Sequence, residues 1–282
     1  MEHMIKMIGL DLDGTLLTDR KELTPRTKNT LAEAIRQGVT VLVATGRPWM
    51  GVPEELRDFP GMCYALTSNG ARVIDTATGK VLIEHLLEPG PAKKALEICG
   101  KYDTLQEIYF DGQGYAQADK IRQVERYHKN PNMWEYMRRT RIPVDDIYAM
   151  LERENRGLDK AQALFSDMDE RRKAWEELSR EDDLELVASL GYNIEINARG
   201  VNKGRALVEL GNLLGIPREE IMACGDGDND TAMLREAGFG VAMGNAEDQT
   251  KEAADYITLT NEEEGVAYAI EKFVLRGGKG EC

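Results

Sequence analysis

The chain has 282 residues, 42% hydrophobic and 30% charged, which calls for a folded protein of one large domain or two smaller ones. A formal net charge of −14 argues against nonspecific nucleic-acid binding, which needs a basic face, and an anionic substrate must be drawn in by a local field instead. Four dispersed cysteines (Cys63, Cys99, Cys224, Cys282) without a CxxC, and three unclustered histidines (His3, His85, His128), argue against disulfide frameworks, zinc sites and Ser-His-Asp chemistry.

The first element is an apolar run, Met4, Ile5, Met7, Ile8 and Leu10, that leads into Asp11-Leu12-Asp13-Gly14-Thr15-Leu16. It reads as a buried strand whose end aims acids into a crevice. Residues two apart on a strand share a face, so Asp11 and Asp13 are expected on one side, roughly 6–7 Å apart. Gly14 lets the backbone turn away. Burying two acids is costly unless something pairs with them, which marks a site.

Thr24-Pro25 reads as an N-cap and first helical residue, followed by Leu31, Ala34 and Ile35 at helical spacing and a stop at Gly38. Val39 to Ala44 is a second buried strand, ending at Thr45-Gly46-Arg47. Met62 to Thr67 is a third, ending at Ser68-Asn69-Gly70. Strands alternating with helices predict a parallel α/β sheet, with its polar residues gathered after the strands, where such sheets bind ligands. Arg72–Ile74 and Lys80–Ile83 read as a hairpin around Thr78-Gly79.

Near Glu84 the texture changes. Leu87-Glu88-Pro89-Gly90-Pro91 reads as a linker. A more charged α+β stretch follows, with a hairpin at Ile108–Asp111 and Tyr115–Gln117 and helices over 119–139 and 144–154. A strand at Ala161–Phe165, a helix near 169–180, and strands at Leu184–Ser189 and Tyr192–Ile196 complete it. This predicts an inserted domain over 86–198 within a Rossmann-like α/β core formed by 1–85 and 199–282. The βαβ texture then returns, with a helix from Asn202 to Leu214 and a strand Ile221–Cys224 that ends at Gly225-Asp226-Gly227-Asp228-Asn229-Asp230. Two more strands (Gly240–Met243 and Tyr256–Leu259) and three more helices (Thr231–Ala237, Glu247–Ala254, Glu264–Val274) precede a Gly/Lys-rich tail expected to fray.

Each polar cluster alone has an ordinary structural reading as a helix cap, turn, exposed lysine or loop. Together they are coherent. Carboxylates crowded into one crevice call for a hard cation such as magnesium. A carboxylate can attack phosphorus without a dedicated base. A hydroxyl, free N–H groups and a lysine suit the oxygens of a transferring phosphoryl group. The stretch from Asp226 fails as a calcium loop, because Thr231 stands where an EF-hand needs Gly and Ala237 where it needs Glu. It also fails as a dinucleotide loop, because Asp230 takes the place of the third glycine.

Taken in order, Asp11-Leu12-Asp13-Gly14-Thr15-Leu16, Thr45-Gly46-Arg47, Asn202-Lys203-Gly204 and the run from Gly225 to Asp230 resemble the four motifs of the haloacid dehalogenase superfamily. The large insertion after the third strand is similar to the Cof-type phosphatases with a class IIB cap. The resemblance implies a magnesium-dependent phosphatase acting on small phosphorylated, sugar-phosphate-like metabolites through an aspartyl-phosphate. Asp11 would be the nucleophile and Asp13 the acid and base. Thr45 would hold a phosphate oxygen and Lys203 would neutralise nucleophile and phosphate. Leu12, Gly46, Arg47, Asn69 and Asn229 would meet phosphate or substrate. Asp11, the Asp13 carbonyl and Asp226 would ligate Mg2+, with Asp230 behind them. Glu264 departs from the family's commoner Asp, which puts a positioning role of its loop in question.

A phosphotransferase or phosphomutase on the same fold, or a non-catalytic phosphometabolite-binding protein, are the rival readings. The insertion is expected to act as a lid, and Tyr109, Asp111, Gln113 and Tyr115 either face substrate or pack. No apolar run reaches the ~18 residues of a membrane span, so the expected location is the cytoplasm, with a small metabolite as partner and neither nucleic acid nor membrane. Oligomeric state and the particular phosphate ester are not written in these motifs.

Overall fold

The computed structural model describes residues 4–275. The tail expected to fray lies outside the described residues beyond 275, as do His3 and Cys282. The chain forms β1 (Met7–Leu10), β2 (Thr40–Ala44), β3 (Tyr64–Thr67), β4 (Arg72–Asp75) and β5 (Val81–Glu84). Then come β6 (Thr104–Phe110), β7 (Gln113–Gln117), β8 (Arg141–Val144), β9 (Lys160–Phe165), β10 (Leu184–Val187) and β11 (Asn193–Ala198), and finally β12 (Ile221–Gly225), β13 (Phe239–Ala242) and β14 (Tyr256–Ile257). Two compact units result. The first takes the chain up to Gly46, Pro53–Glu84 and the part from Asn202 on; the second takes Arg47–Val52 and His85–Val201.

The first unit is an eight-stranded sheet in the order β14-β13-β12-β1-β2-β3-β4-β5. The apolar β1 is buried along its whole length and pairs in parallel with β12 on one side and β2 on the other. Leu10 lies opposite Cys224 in one pairing and Val43 in the other, so these strands end level. The loops that begin at Asp11, Thr45 and Asp226 therefore leave the same sheet edge, at the point where strand order reverses. The predicted hairpin is present as antiparallel β4 and β5.

Helix boundaries in this unit follow local chemistry. The helix Pro25–Arg36 has Thr24 as N-cap, its side chain accepting from the Thr27 N–H, with Pro25 in the first turn. The helix Lys203–Leu214 is capped by Asn202 and ends at Gly215 with φ 70°. A Cβ on Gly204 would stand 2.6 Å from the Ala232 carbonyl oxygen, so only glycine lets this helix start lie against the segment after Asp230.

The second unit is a six-stranded sheet in the order β10-β11-β9-β6-β7-β8, antiparallel except for β7 and β8. One face carries Ile108, Phe110, Ala161, Ala163, Phe165, Ile194 and Ile196, in one core with the helices Pro89–Cys99, Ile147–Glu154 and Met168–Leu178. Alternation puts Glu107, Tyr109, Lys160, Gln162 and Glu195 on the opposite face, all buried.

Three sequence expectations change here. Pro89-Gly90-Pro91 is not a linker but the first turn of a helix that follows Glu88, because proline's fixed φ suits that turn and its missing N–H costs nothing there. The helix expected over 119–139 is broken into turns at Ala118–Ile121, Val124–Arg126 and Pro131–Met133 before a short helix Trp134–Thr140. Pro131 cannot continue a helix. Strand β8 was not expected; its Pro143 is tolerated because β8 is an edge strand.

Candidate active site

The strand β1 stops at Leu10, so Asp11 and Asp13 stand on a turn rather than side by side on a strand. The Asp11 N–H still donates to the Cys224 carbonyl at 3.0 Å, one step beyond the ladder. Its carboxylate accepts from Lys203 Nζ at 2.6 Å. The Asp13 carboxylate instead pairs with Lys21 Nζ at 2.8 Å. The backbone has left the extended conformation here, so the strand spacing from which a shared side was expected does not apply. At Gly14, φ is 86° and a Cβ would collide with the Asp226 carboxylate, so glycine is what lets this turn close against the β12 loop.

Lys203, the first residue of its helix, is fully buried rather than exposed. Its ammonium donates to Asp11 and also to Asp230 Oδ1 at 2.7 Å. The other Asp230 oxygen accepts the N–H groups of Asp226 and Gly227, each at 3.0 Å. Asp226 accepts from the Thr15 hydroxyl at 2.6 Å, a contact that sequence reasoning missed although Thr15 stands inside the first motif. Asp11, Asp226 and Asp230 each offer an oxygen, all within 4.8 Å of one another.

The electrostatics are unbalanced. Burial, and then the Asp230 charge, raise Asp11 well above the ordinary carboxylate range, with Lys203 opposing. Burial, with Asp230 next, pushes Asp226 up to about 7. Burial would lower Lys203, but Asp11 and Asp230 outweigh it and hold the ammonium charged far above neutrality. One cation among three clustered carboxylates leaves negative charge that a hard divalent ion fits.

The other predicted residues fall as follows. Leu12 is fully buried. Thr45 is buried; its N–H donates to the Leu66 carbonyl at 2.9 Å and its carbonyl accepts from the Asn69 N–H at 3.1 Å, with Gly46 next in the same loop. Asn69, at φ 62°, accepts from Asn229 Nδ2 at 3.3 Å. Asn69 and Asn229 thereby connect the loops after β3 and β12. Arg47 stands two residues after Thr45 in sequence. It groups with the second unit, donates to the Gly51 carbonyl at 2.9 Å and lies over the Tyr136 ring. In the β6–β7 hairpin, Tyr109 bonds to Glu107 and Tyr115 packs on the apolar core, while Asp111 pairs with Arg156 at 2.7 Å.

A family model of haloacid dehalogenase-like hydrolases matches residues 8–270. The chain is 35% identical over 272 residues to a 5-amino-6-(5-phospho-D-ribitylamino)uracil phosphatase of Bacillus subtilis, covering 96% of each chain. A solved haloacid dehalogenase-like hydrolase of B. subtilis superposes with a TM-score of 0.85 at 28% identity, over 96% of this chain and 100% of that one. A subclass IIB sugar phosphatase, BT4131, shares the fold with a TM-score of 0.81 at 23% identity, over 95% and 98%. The chain belongs to the haloacid dehalogenase-like hydrolases. Within them it is a phosphatase of Cof type.

Proposed function

We propose that this phosphatase hydrolyses small, sugar-phosphate-like esters with Mg2+, through a phosphoryl group carried on Asp11. The observation that carries the reading is the buried Lys203 ammonium 2.6 Å from Asp11, set beside Asp226 and Asp230. The carboxylates of Asp11 and Asp226, with the Asp13 carbonyl, would hold the metal. Both Asp230 oxygens already accept hydrogen bonds, which supports a place for it behind them. When bound, magnesium supplies charge neutralisation between an anionic nucleophile and an anionic ester.

An Asp11 oxygen forms the new bond to phosphorus as the bond to the leaving oxygen breaks. Asp13 gives its proton to that oxygen. Asp13 then takes a proton from water, whose oxygen attacks phosphorus, and the bond to Asp11 breaks to return the carboxylate and release phosphate. Lys203 keeps its proton throughout and holds the Asp11 oxygen in line. The Thr45 hydroxyl, the N–H groups at Leu12 and Gly46, and Asn229 would receive the phosphate oxygens, with Asn69 and Arg47 nearer the rest of the substrate.

The insertion over 86–198 is read as a lid. Connectivity supports this, because the chain returns from it at Asn202, one residue before Lys203. The named substrate of the B. subtilis relative makes a phosphorylated ribityl amine the first ester to try. The test is a phosphate-release screen over a metabolite panel with and without Mg2+. Turnover should require the metal, and Asp11→Asn should abolish it. Full activity in Asp11→Asn would remove Asp11 as nucleophile.

A further inference from the structure

We propose that Lys21 is a positioning residue for Asp13: its ammonium fixes the carboxylate in the place from which it serves the leaving oxygen. This rests on the acid–base role proposed for Asp13. Nothing in the four motifs includes Lys21, which lies eight positions further along the chain.

The geometry begins with a separation of tasks. Asp11, Asp226 and Asp230 form one carboxylate group, and the Asp13 carboxylate pairs with Lys21. Lys21 Nζ lies 2.8 Å from Asp13 Oδ1. Both side chains are partly exposed, at 26% for Lys21 and 36% for Asp13. An ion pair in that setting contributes little to stability. Yet Lys21 adopts φ 64°, a left-handed conformation that is unfavourable for a side-chain-bearing residue. Stability therefore gives no reason for this residue to be held there.

The frame around the pair is held at several points. The Lys21 N–H donates to the Thr18 carbonyl at 2.8 Å, and the Thr18 N–H donates to the Glu22 carbonyl at 3.1 Å, which closes the turn. Asn245 Nδ2 donates to the Gly14 carbonyl at 2.8 Å. Asn261 Nδ2 donates to the Leu17 carbonyl and to Asp19 Oδ1, both at 3.1 Å. The Asp19 N–H donates to Glu262 at 2.7 Å. Both ends of the Asp13–Lys21 pair thus sit on one clamped turn. A cation against one oxygen restricts the carboxylate's rotation about its own side-chain bonds. The proton that Asp13 delivers still passes from its carboxyl group to the leaving oxygen as the P–O bond breaks, and Lys21 keeps its own.

Acid assistance matters most for a poor leaving group. The full-length protein and the variants Lys21→Met, Lys21→Arg and Asp13→Asn are compared by kcat/KM, which reports the first phosphoryl transfer. Two esters are used: p-nitrophenyl phosphate, and an alkyl phosphate that the wild type hydrolyses. Lys21→Met is expected to lose about tenfold on the alkyl ester and less than about threefold on the aryl ester, with the melting temperature unchanged. Lys21→Arg should recover most of the alkyl loss. Equal losses on both esters, no loss, or a loss that follows a lowered melting temperature would each overturn the proposal. If Asp13→Asn removes alkyl turnover while Lys21→Met matches wild type, the Lys21 proposal alone falls. If Asp13→Asn keeps alkyl turnover, the acid–base reading of Asp13 falls and this proposal with it.

Discussion

Lys203 ties the site together as its buried cation. It is fully buried and donates to two carboxylates, Asp11 and Asp230. Removing one member of a buried ionic set leaves the others uncompensated, at a cost of about 3–5 kcal/mol. Lys203→Met is therefore expected to lower the thermal midpoint of the metal-free protein by several degrees and to remove turnover, as read by calorimetry and phosphate release. The titration of Asp226 adds a pH dependence whose sign is fixed. Its folded-state pKa is raised to about 7, and Asp11 is raised in the same direction. Groups raised on folding contribute stability at low pH and lose it as pH rises through the folded-state value. The metal-free protein should thus melt at progressively lower temperature from pH 5 to pH 8. Added Mg2+ should flatten that slope, because it favours the ionised acids. A metal-free midpoint that rises over this interval would contradict the unbalanced charge described for the site.

At the level of elements, the start of the Lys203–Leu214 helix and the polar face of the second sheet are the sensitive places. A methyl group at residue 204 would meet the Ala232 carbonyl at 2.6 Å. That neighbour is backbone and cannot swing aside. Gly204→Ala should cost about 1–3 kcal/mol and displace Lys203, seen as a lowered midpoint together with reduced kcat. In the second sheet, Lys160 on β9 pairs with Glu195 on β11, and both are buried. Lys160→Met would remove this ammonium from a buried Glu195 that also accepts from Ser189 and Asn193. The expected loss is again about 3–5 kcal/mol. The double variant Lys160→Met/Glu195→Gln should recover part of it, since both charges of that pair are then gone; denaturant unfolding of the single and double variants measures this.

For the whole molecule, metal binding should stabilise selectively. A ligand at a hundred times its Kd contributes about 2.7 kcal/mol to the state that binds it. The carboxylates concerned belong to the first unit, while β6–β11 form a separate sheet with its own apolar core. Hydrogen exchange with Mg2+ should slow at β1, β2 and β12 and leave β6–β11 unchanged. Equal slowing in both sheets would show that the metal acts elsewhere as well. Among the described residues, no helix is long and apolar enough to cross a membrane.

The sequence by itself determined the alternation of buried strands and capped helices, because apolar runs and residues such as Thr24, Pro25, Asn202 and Gly215 act through local chemistry alone. It also marked Asp11, Lys203, Asp226 and Asp230, since acids and a lysine at strand and helix ends have few inexpensive structural uses. What it left undecided depends on contacts between distant segments. The burial of Lys203 follows from a helix start admitted to the interior by Gly204. The pairing of Asp13 with Lys21 follows from a turn that leaves the strand after Leu10. The strand β8 and the helix at Pro89 were hidden because a four-residue edge strand has too short a period to read, and proline at a helix start looks like a linker. Periodicity and capping act over a few residues and are written in the chain; which charge meets which across 192 or more positions is decided only when the sheet brings its strand ends level.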